Sequence, residues 1–251
     1  MTMGETFARV ETKFLLSSSH AEALETELWR RRFTRMDFGS PRVQSLYYDT
    51  PDYTLIRASL NRPAYKEKLR LRGYGEPGTI VQSYLEIKKK YDGVVYKRRT
   101  AMPLREAVVC LARGVIPEEA GQVGREIQWM LRRYELRPAA VISYDRNAWF
   151  CQDEPGLRVT FDRNLMFRDW DMDLNARTPG IRLLPSDRQL LEIKTGGAYP
   201  LWLCRLLREI GAERTHFSKY GLAYQRYIQP DQEGIERSGA NCSTVSLSRG
   251  A

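Results

Sequence analysis

Apolar and polar positions alternate along this chain at two periods. Period two predicts strands over residues 7–16, 42–50, 64–74, 80–91, 94–102, 137–151, 157–167 and 188–195. Helical spacing predicts amphipathic helices through Leu24, Leu28 and Trp29, and over residues 51–59, 103–113, 118–134, 201–210 and 219–228. Local signals set the borders. The hydroxyls of Ser17, Ser18 and Ser19 supply helix caps, with Glu22 three residues after Ser19 as in a capping box, and Pro51 suits a first helical position. Gly73, Gly75, Pro77 and Gly78 form a turn cluster, and Asp92-Gly93 between two alternating runs predicts a tight antiparallel hairpin. No repeat and no internal linker is evident, so residues 1–228 read as one domain. Residues 229–251, rich in Gly, Ser, Asn and Ala, read as a disordered tail.

The polar positions of the strands are unusual. A half-buried strand normally turns a mixed polar face to water, but here strand after strand carries cations with a few carboxylates on that face. Arg9, Glu11 and Lys13 share one face of the first strand, and Lys66, Lys68, Arg70 and Arg72 follow at strict period two on another. Glu86, Lys88 and Lys90 continue the theme, as do Lys97 with Arg99, Tyr144 with Arg146, Arg158 with Thr160 and Asp162, and Glu192 with Lys194. Like charges on adjacent strands lie ~4.5–5.5 Å apart and repel unless something anionic sits between them. A closed barrel resolves the conflict: its apolar faces pack outward on helices and its charged faces converge on a lumen holding a polyphosphate. The expected fold is therefore α+β, an antiparallel closed β-barrel with helices packed outside.

Composition narrows the chemistry. Hydrophobic residues make up 42% and charged residues 28% of the 251, enough for a globular core. The longest apolar runs fall far short of the ~20 residues that span a bilayer. The first ten residues lack the pattern of a secretory signal, so a cytoplasmic protein is expected. Cys110, Cys151, Cys204 and Cys242 are widely spaced and form no C-x-x-C, which reads as buried or idle thiols. With only His20 and His216, histidine-rich metal sites and a Ser-His-Asp apparatus are disfavoured. A net charge of 40 − 31 = +9 points to a polyanionic partner.

In order along the chain, these residues resemble the polyphosphate polymerase domain of the VTC family, within the triphosphate tunnel (CYTH-like) superfamily. The resemblance runs over residues 7–228. It rests on Arg9-x-Glu11-x-Lys13, Ser45-Leu-Tyr-Tyr48-Asp49-Thr50, Lys68-Leu-Arg70-Leu-Arg72, Glu86-Ile-Lys88 and Lys97, then on Tyr144-Asp-Arg146, Arg158-Val-Thr-Phe-Asp162, Glu192-Ile-Lys194 and Phe217-Ser218-Lys219. Position 9 is Arg where the wider superfamily often has Glu, which thins the acidic cluster that a hydrolase would use.

The resemblance implies a tunnel that binds the triphosphate of ATP along its axis and moves the γ-phosphate onto phosphate, pyrophosphate or a growing polyphosphate chain. It implies that Lys13, Arg70, Arg72, Lys88, Arg146, Arg158 and Lys219 act on phosphate oxygens. Lys68, Lys97, Tyr144 and Ser218 would help to bind substrate. Glu192 would hold Mn²⁺ or Mg²⁺, while Glu11 and Glu86 either join it or hold a neighbouring cation in place. Asp49, at a strand-to-helix junction, reads as a cap. Unlike in the eukaryotic members, no inositol-phosphate-sensing domain is read before the barrel and no membrane segment after it, which leaves a separate membrane-protein partner to receive product. A triphosphatase of the same fold and a non-enzymatic polyanion binder are the alternatives. Nucleic acid is not expected as partner, because the cationic strands carry no interleaved aromatic ladder.

Overall fold

The computed structural model describes residues 10–36, 41–61, 63–92 and 94–230. Arg9, Gly93, Cys242 and the expected tail from residue 231 lie outside the described residues. In chain order the elements are β1 (Val10–Ser17), α1 (Ser18–Arg30), β2 (Thr34–Arg35), β3 (Arg42–Asp49), α2 (Thr54–Leu60), β4 (Tyr65–Tyr74), β5 (Gln82–Tyr91) and β6 (Val94–Pro103). Then come α3 (Leu104–Arg113), α4 (Gly121–Arg133), β7 (Arg137–Phe150), β8 (Arg158–Arg168), β9 (Ile181–Arg182), β10 (Arg188–Thr195), α5 (Leu201–Glu209), β11 (Glu213–Thr215) and α6 (Lys219–Ala223). Helix α6 continues as a π-type turn over Tyr224–Ile228, and Gln229 and Pro230 remain helical.

Among the described residues, every element with a helical or alternating signal forms, with borders within a few residues of expectation. Three differences have local causes. Strand β1 runs through Ser17, so Ser17 itself caps α1, its Oγ accepting from His20 N at 3.2 Å, and the expected Ser19–Glu22 box is not the cap. Helix α2 starts at Thr54, because residues 50–53 turn first and Tyr53 takes a left-handed conformation. Residues 118–120 form a separate 3₁₀ turn ahead of α4. The two- and three-residue strands β2, β9 and β11 carry no sequence period long enough to read.

The sheet is antiparallel throughout, in the order β11-β1-β10-β8-β7-β3-β4-β5-β6, with β2 on β7 and β9 on β8. The ladder runs from β11 to β6 with no pairing of these two margins among the described residues, and the sheet curls so that the charges of Glu11 and Lys13 on β1 act on Lys88 of β5. The convex face packs on helices. Leu69, Leu71, Leu85 and Ile87 meet α3 and α4, and Phe14, Phe161, Leu191 and Ile193 meet α1 and α5. Burying each such side chain contributes roughly 1.5–3 kcal/mol.

Helix α6 differs from the other helices, entering the concave side. Tyr220 and Ala223 pack among Tyr47, Ile142 and Leu190, and the Tyr220 ring stacks on Tyr47 at 4.9 Å. Asp49 anchors this arrangement as the expected cap. Its carboxylate accepts from the backbone nitrogens of Leu55 (2.9 Å) and Ile56 (3.0 Å), and from the Tyr220 hydroxyl (3.0 Å). Cys110 and Cys151 are buried free thiols and Cys204 an exposed one. Among the described residues, no helix is long and apolar enough to cross a membrane.

Candidate functional site

Register places the charged positions on one concave face. Ladder partners include Lys13 with Glu192, Glu11 with Lys194, Arg70 with Glu86, Lys68 with Lys88, Lys88 with Lys97, and Arg146 with Asp162. One irregularity is needed for this. Between Ser143 and Asp145 of β7, strand β8 carries an extra residue, and Asn164 at φ 49° sits in that stretch. The bulge keeps Asp162 facing the lumen alongside Leu165 and Phe167, which pack against the inserted α6.

On the side formed by β1, β8, β10 and α6, carboxylates match the cations. Asp162, fully buried, takes Arg146 through both oxygens at 2.5 and 2.6 Å and Lys219 at 2.5 Å. Glu192 contacts Lys219 at 3.1 Å, Arg146 at 3.2 Å and Lys13 at 3.7 Å. Glu11, a third exposed, contacts Lys13 at 3.4 Å and Lys194 at 3.5 Å. Lys13 also donates to the Phe217 carbonyl at 2.9 Å, tying down the loop before α6. Burial opposes ionisation of Glu192, but Lys219, Arg146 and Lys13 outweigh it and hold the carboxyl well below its ordinary range. Burial likewise opposes the charge on Lys219, and Asp162 and Glu192 outweigh it and raise that ammonium above its ordinary value.

On the side formed by β4, β5 and β6 one carboxylate serves many cations. Glu86 is almost fully buried and takes Arg70 at 2.6 Å, Lys97 at 2.8 Å and Arg72 at 3.7 Å. Burial pushes its carboxyl up, yet these cations bring it down to about 2. Lys68 faces Lys88 and Lys66 faces Lys90 with no carboxylate at either ladder position. Desolvation, joined by Lys88, Lys66 and Lys13, lowers Lys68 to about 8. Lys97 also falls to about 8, through desolvation that Glu86 only partly offsets. Lys88, open to the lumen, is lowered as well, by desolvation and then by Lys13 and Arg70.

Tyr144 joins the two sides. Its hydroxyl accepts from Arg72 at 3.2 Å, and its ring face receives Lys219 at 4.6 Å and Arg146 at 5.1 Å. Ser218 caps α6, its Oγ accepting from Gly221 N at 3.2 Å, and thereby orients Lys219. Arg158 lies at the exposed end of the same face, in register with Lys194. Every site residue expected from sequence thus falls on the concave face or on α6 against it. What the arrangement offers chemically is a trough of ammonium and guanidinium groups with a carboxylate-rich flank, suited to a linear phosphate chain.

With this geometry in view, the VTC domain family model matches residues 8–228. The chain belongs to the VTC domain family. Among solved structures, this VTC domain is similar to a candidate adenylyl cyclase from Hippeastrum described as revealing a dominant triphosphatase activity. Identity is 17% over 85% of this chain and 94% of that one, with a TM-score of 0.53. It is also similar to a candidate adenylate cyclase from Bacillus halodurans, at 15% identity over 87% of this chain and 96% of that one, with a TM-score of 0.51. At these identities the likeness concerns the triphosphate tunnel fold. No match was found among curated proteins.

Three further residues of the candidate site carry no assigned role in the sequence reading. Asp162, which the sequence offers only as one of the inner-face carboxylates open to a hydrolase, is the buried partner of Arg146 and Lys219. Tyr47 accepts from Arg70 at 3.2 Å and Ser45 from Arg72 at 3.1 Å. Burial raises the Tyr47 phenol, but Arg70, Arg72 and Lys68 outweigh it and bring the group down to about 8. Parity was the available signal: positions 45 and 47 alternate with the outward Leu46 and Tyr48, as 162 alternates with Phe161.

Proposed function

We propose that this VTC domain is a phosphotransferase that moves the γ-phosphoryl group of ATP onto phosphate, pyrophosphate or a growing polyphosphate chain. The observation that supports this reading is the carboxylate-poor half of the lumen, where Lys68 and Lys88 face each other across the ladder and repel unless an extended anion lies between them. In the transfer, an oxygen of the acceptor forms a bond to the γ-phosphorus as the bond from that phosphorus to the β–γ bridging oxygen breaks, and ADP leaves. Little covalent help is needed; alignment and charge neutralisation dominate. Arg70 and Arg72, held by Glu86, Tyr47 and Ser45, supply fixed guanidinium forks, and Lys68, Lys88 and Lys97 supply point charges.

Among the described residues no three carboxylate, histidine or cysteine side chains converge as a metal cage. Two carboxylates suffice for an ion that takes its other ligands from phosphate and water. Glu11 and Glu192 fit that role, since both already share the Lys13 ammonium. Bound there, Mn²⁺ or Mg²⁺ would neutralise phosphate charge. Glu86, with its oxygens engaged by Arg70, Arg72 and Lys97, is assigned to holding cations.

Incubation with ATP, Mn²⁺ and a trace of pyrophosphate, with products separated by size, tests the reading. Chains sensitive to a polyphosphatase are expected; free phosphate alone would instead establish a tunnel triphosphatase. That second reading is supported by the Glu11 and Glu192 pair and by the activity ascribed to the Hippeastrum protein.

A further inference from the structure

The inner faces of two neighbouring strands change character at the same end. Strand β4 reads Lys66, Lys68, Arg70, Arg72 and then Tyr74, and β5 reads Lys90, Lys88, Glu86 and then Tyr84. Arg72 and Tyr84 are ladder partners, so the cationic ladders stop at the two tyrosines together. Tyr74 meets Tyr84 edge to face, with ring centroids 5.7 Å apart. From β6, the Arg99 guanidinium lies over the Tyr84 ring at 4.9 Å. The ladder partner of Tyr84 on β6 is Ala101, exposed and small, which leaves room beside the ring. Both tyrosines are half-buried.

A wholly inorganic chain has nothing to offer such an end. Phosphate oxygens gain nothing from an aromatic face, whereas a nucleobase stacks on aromatic rings and guanidinium planes. Spacing agrees. Four residues of extended strand cover ~13 Å, so a base at Tyr84, level with Arg72, puts the α-phosphate about two residues along, at the level of Arg70, and the terminal phosphate at the level of Lys88 and Lys68, about the reach of an extended nucleoside triphosphate.

We infer that Tyr84, with Tyr74 and Arg99, forms a nucleobase-stacking platform at one end of the lumen, which makes a nucleoside triphosphate the preferred ligand and fixes the direction in which it lies. The platform selects for a base without choosing among bases, because every base has a π face. This inference rests on the triphosphate-binding reading above.

Calorimetric titration of the full chain with ATP and with methyl triphosphate, which has the charge of ATP and no base, tests it. Wild type is expected to bind ATP about tenfold more tightly than methyl triphosphate. Tyr84→Leu, which keeps bulk and removes the π face, should weaken ATP about tenfold and methyl triphosphate less than about twofold, and Tyr84→Phe should restore ATP binding. Equal affinities of wild type for both ligands, or equal losses for both in Tyr84→Leu, would overturn the platform and leave the tunnel reading standing. Binding of neither ligand by wild type would overturn both.

Discussion

The two sides of the lumen carry the same kinds of cation and treat them in opposite ways. Around Asp162 and Glu192, each of Lys13, Arg146 and Lys219 has a carboxylate partner in the folded chain, so this side is complete without ligand. Around β4 and β5, Lys66 faces Lys90 and Lys68 faces Lys88 across the ladder, and Glu86, the inward carboxylate of these two strands among the described residues, is taken by Arg70, Arg72 and Lys97. The first side holds α6 in the barrel and keeps geometry. On the proposed reading, the second stores repulsion that a bound anion would relieve. Similar cations would thus serve stability in one place and affinity in the other, according to the number of carboxylates within reach.

Single substitutions should separate the two sides most sharply. Lys219→Ala removes a buried partner from Asp162 and Glu192 and detaches α6, so a loss of ~3–5 kcal/mol is expected in denaturant unfolding. Lys68→Met should act in the opposite sense. It relieves repulsion with Lys88 and Lys66, so the ligand-free melting temperature should stay level or rise, while triphosphate affinity falls about tenfold. If both variants lose stability alike, the division between the sides is wrong.

Protons provide a finer test. Lys68 and Lys97, both near 8 in the free protein, rise toward ordinary values when phosphate lies beside them. Triphosphate binding at pH 8 should therefore take up about one proton, read as a dependence of calorimetric enthalpy on buffer ionisation and diminished in Lys68→Met. Stability follows the same logic. Above pH 8 the unfolded chain keeps lysine protons that the folded chain has shed, so these two lysines make the ligand-free protein more stable as pH rises from about 8 toward 10. Glu86 gives the same slope in a lower window. Held near 2, it contributes stability that is complete above the ordinary carboxylate range and is lost as pH falls toward 2.

The smallest structural effect is expected from Glu11→Gln. Its side chain is a third exposed and its ion pairs are loose, so stability should change by less than about 1 kcal/mol. The Mn²⁺ or Mg²⁺ concentration needed for half-maximal turnover should nevertheless rise several-fold, measured by metal titration of product formation. An unchanged metal requirement would remove Glu11 from the metal site and leave Glu192 to act alone.

Much of this was legible in the chain alone, because strand parity is local. Lys66, Lys68, Arg70 and Arg72 alternate with Leu69 and Leu71, and that alternation by itself assigned the charged face and the helix-packed face. The aggregate of such faces predicted an antiparallel closed barrel around a cationic lumen, and the domain family followed from the order of the motifs. Tertiary structure decided what each charge meets. Glu86 and Glu192 sit in nearly identical Glu-Ile-Lys contexts, yet one is taken up by Arg70, Arg72 and Lys97 and the other by Lys13, Arg146 and Lys219. Those partners come from strands far apart in sequence and from α6, whose insertion depends on the Asp49 to Tyr220 bond across 171 residues. Periodicity assigns a side chain to a face, but register, a bulge and the seating of one helix choose its neighbours, because electrostatic partners are set by distances that only the folded chain defines.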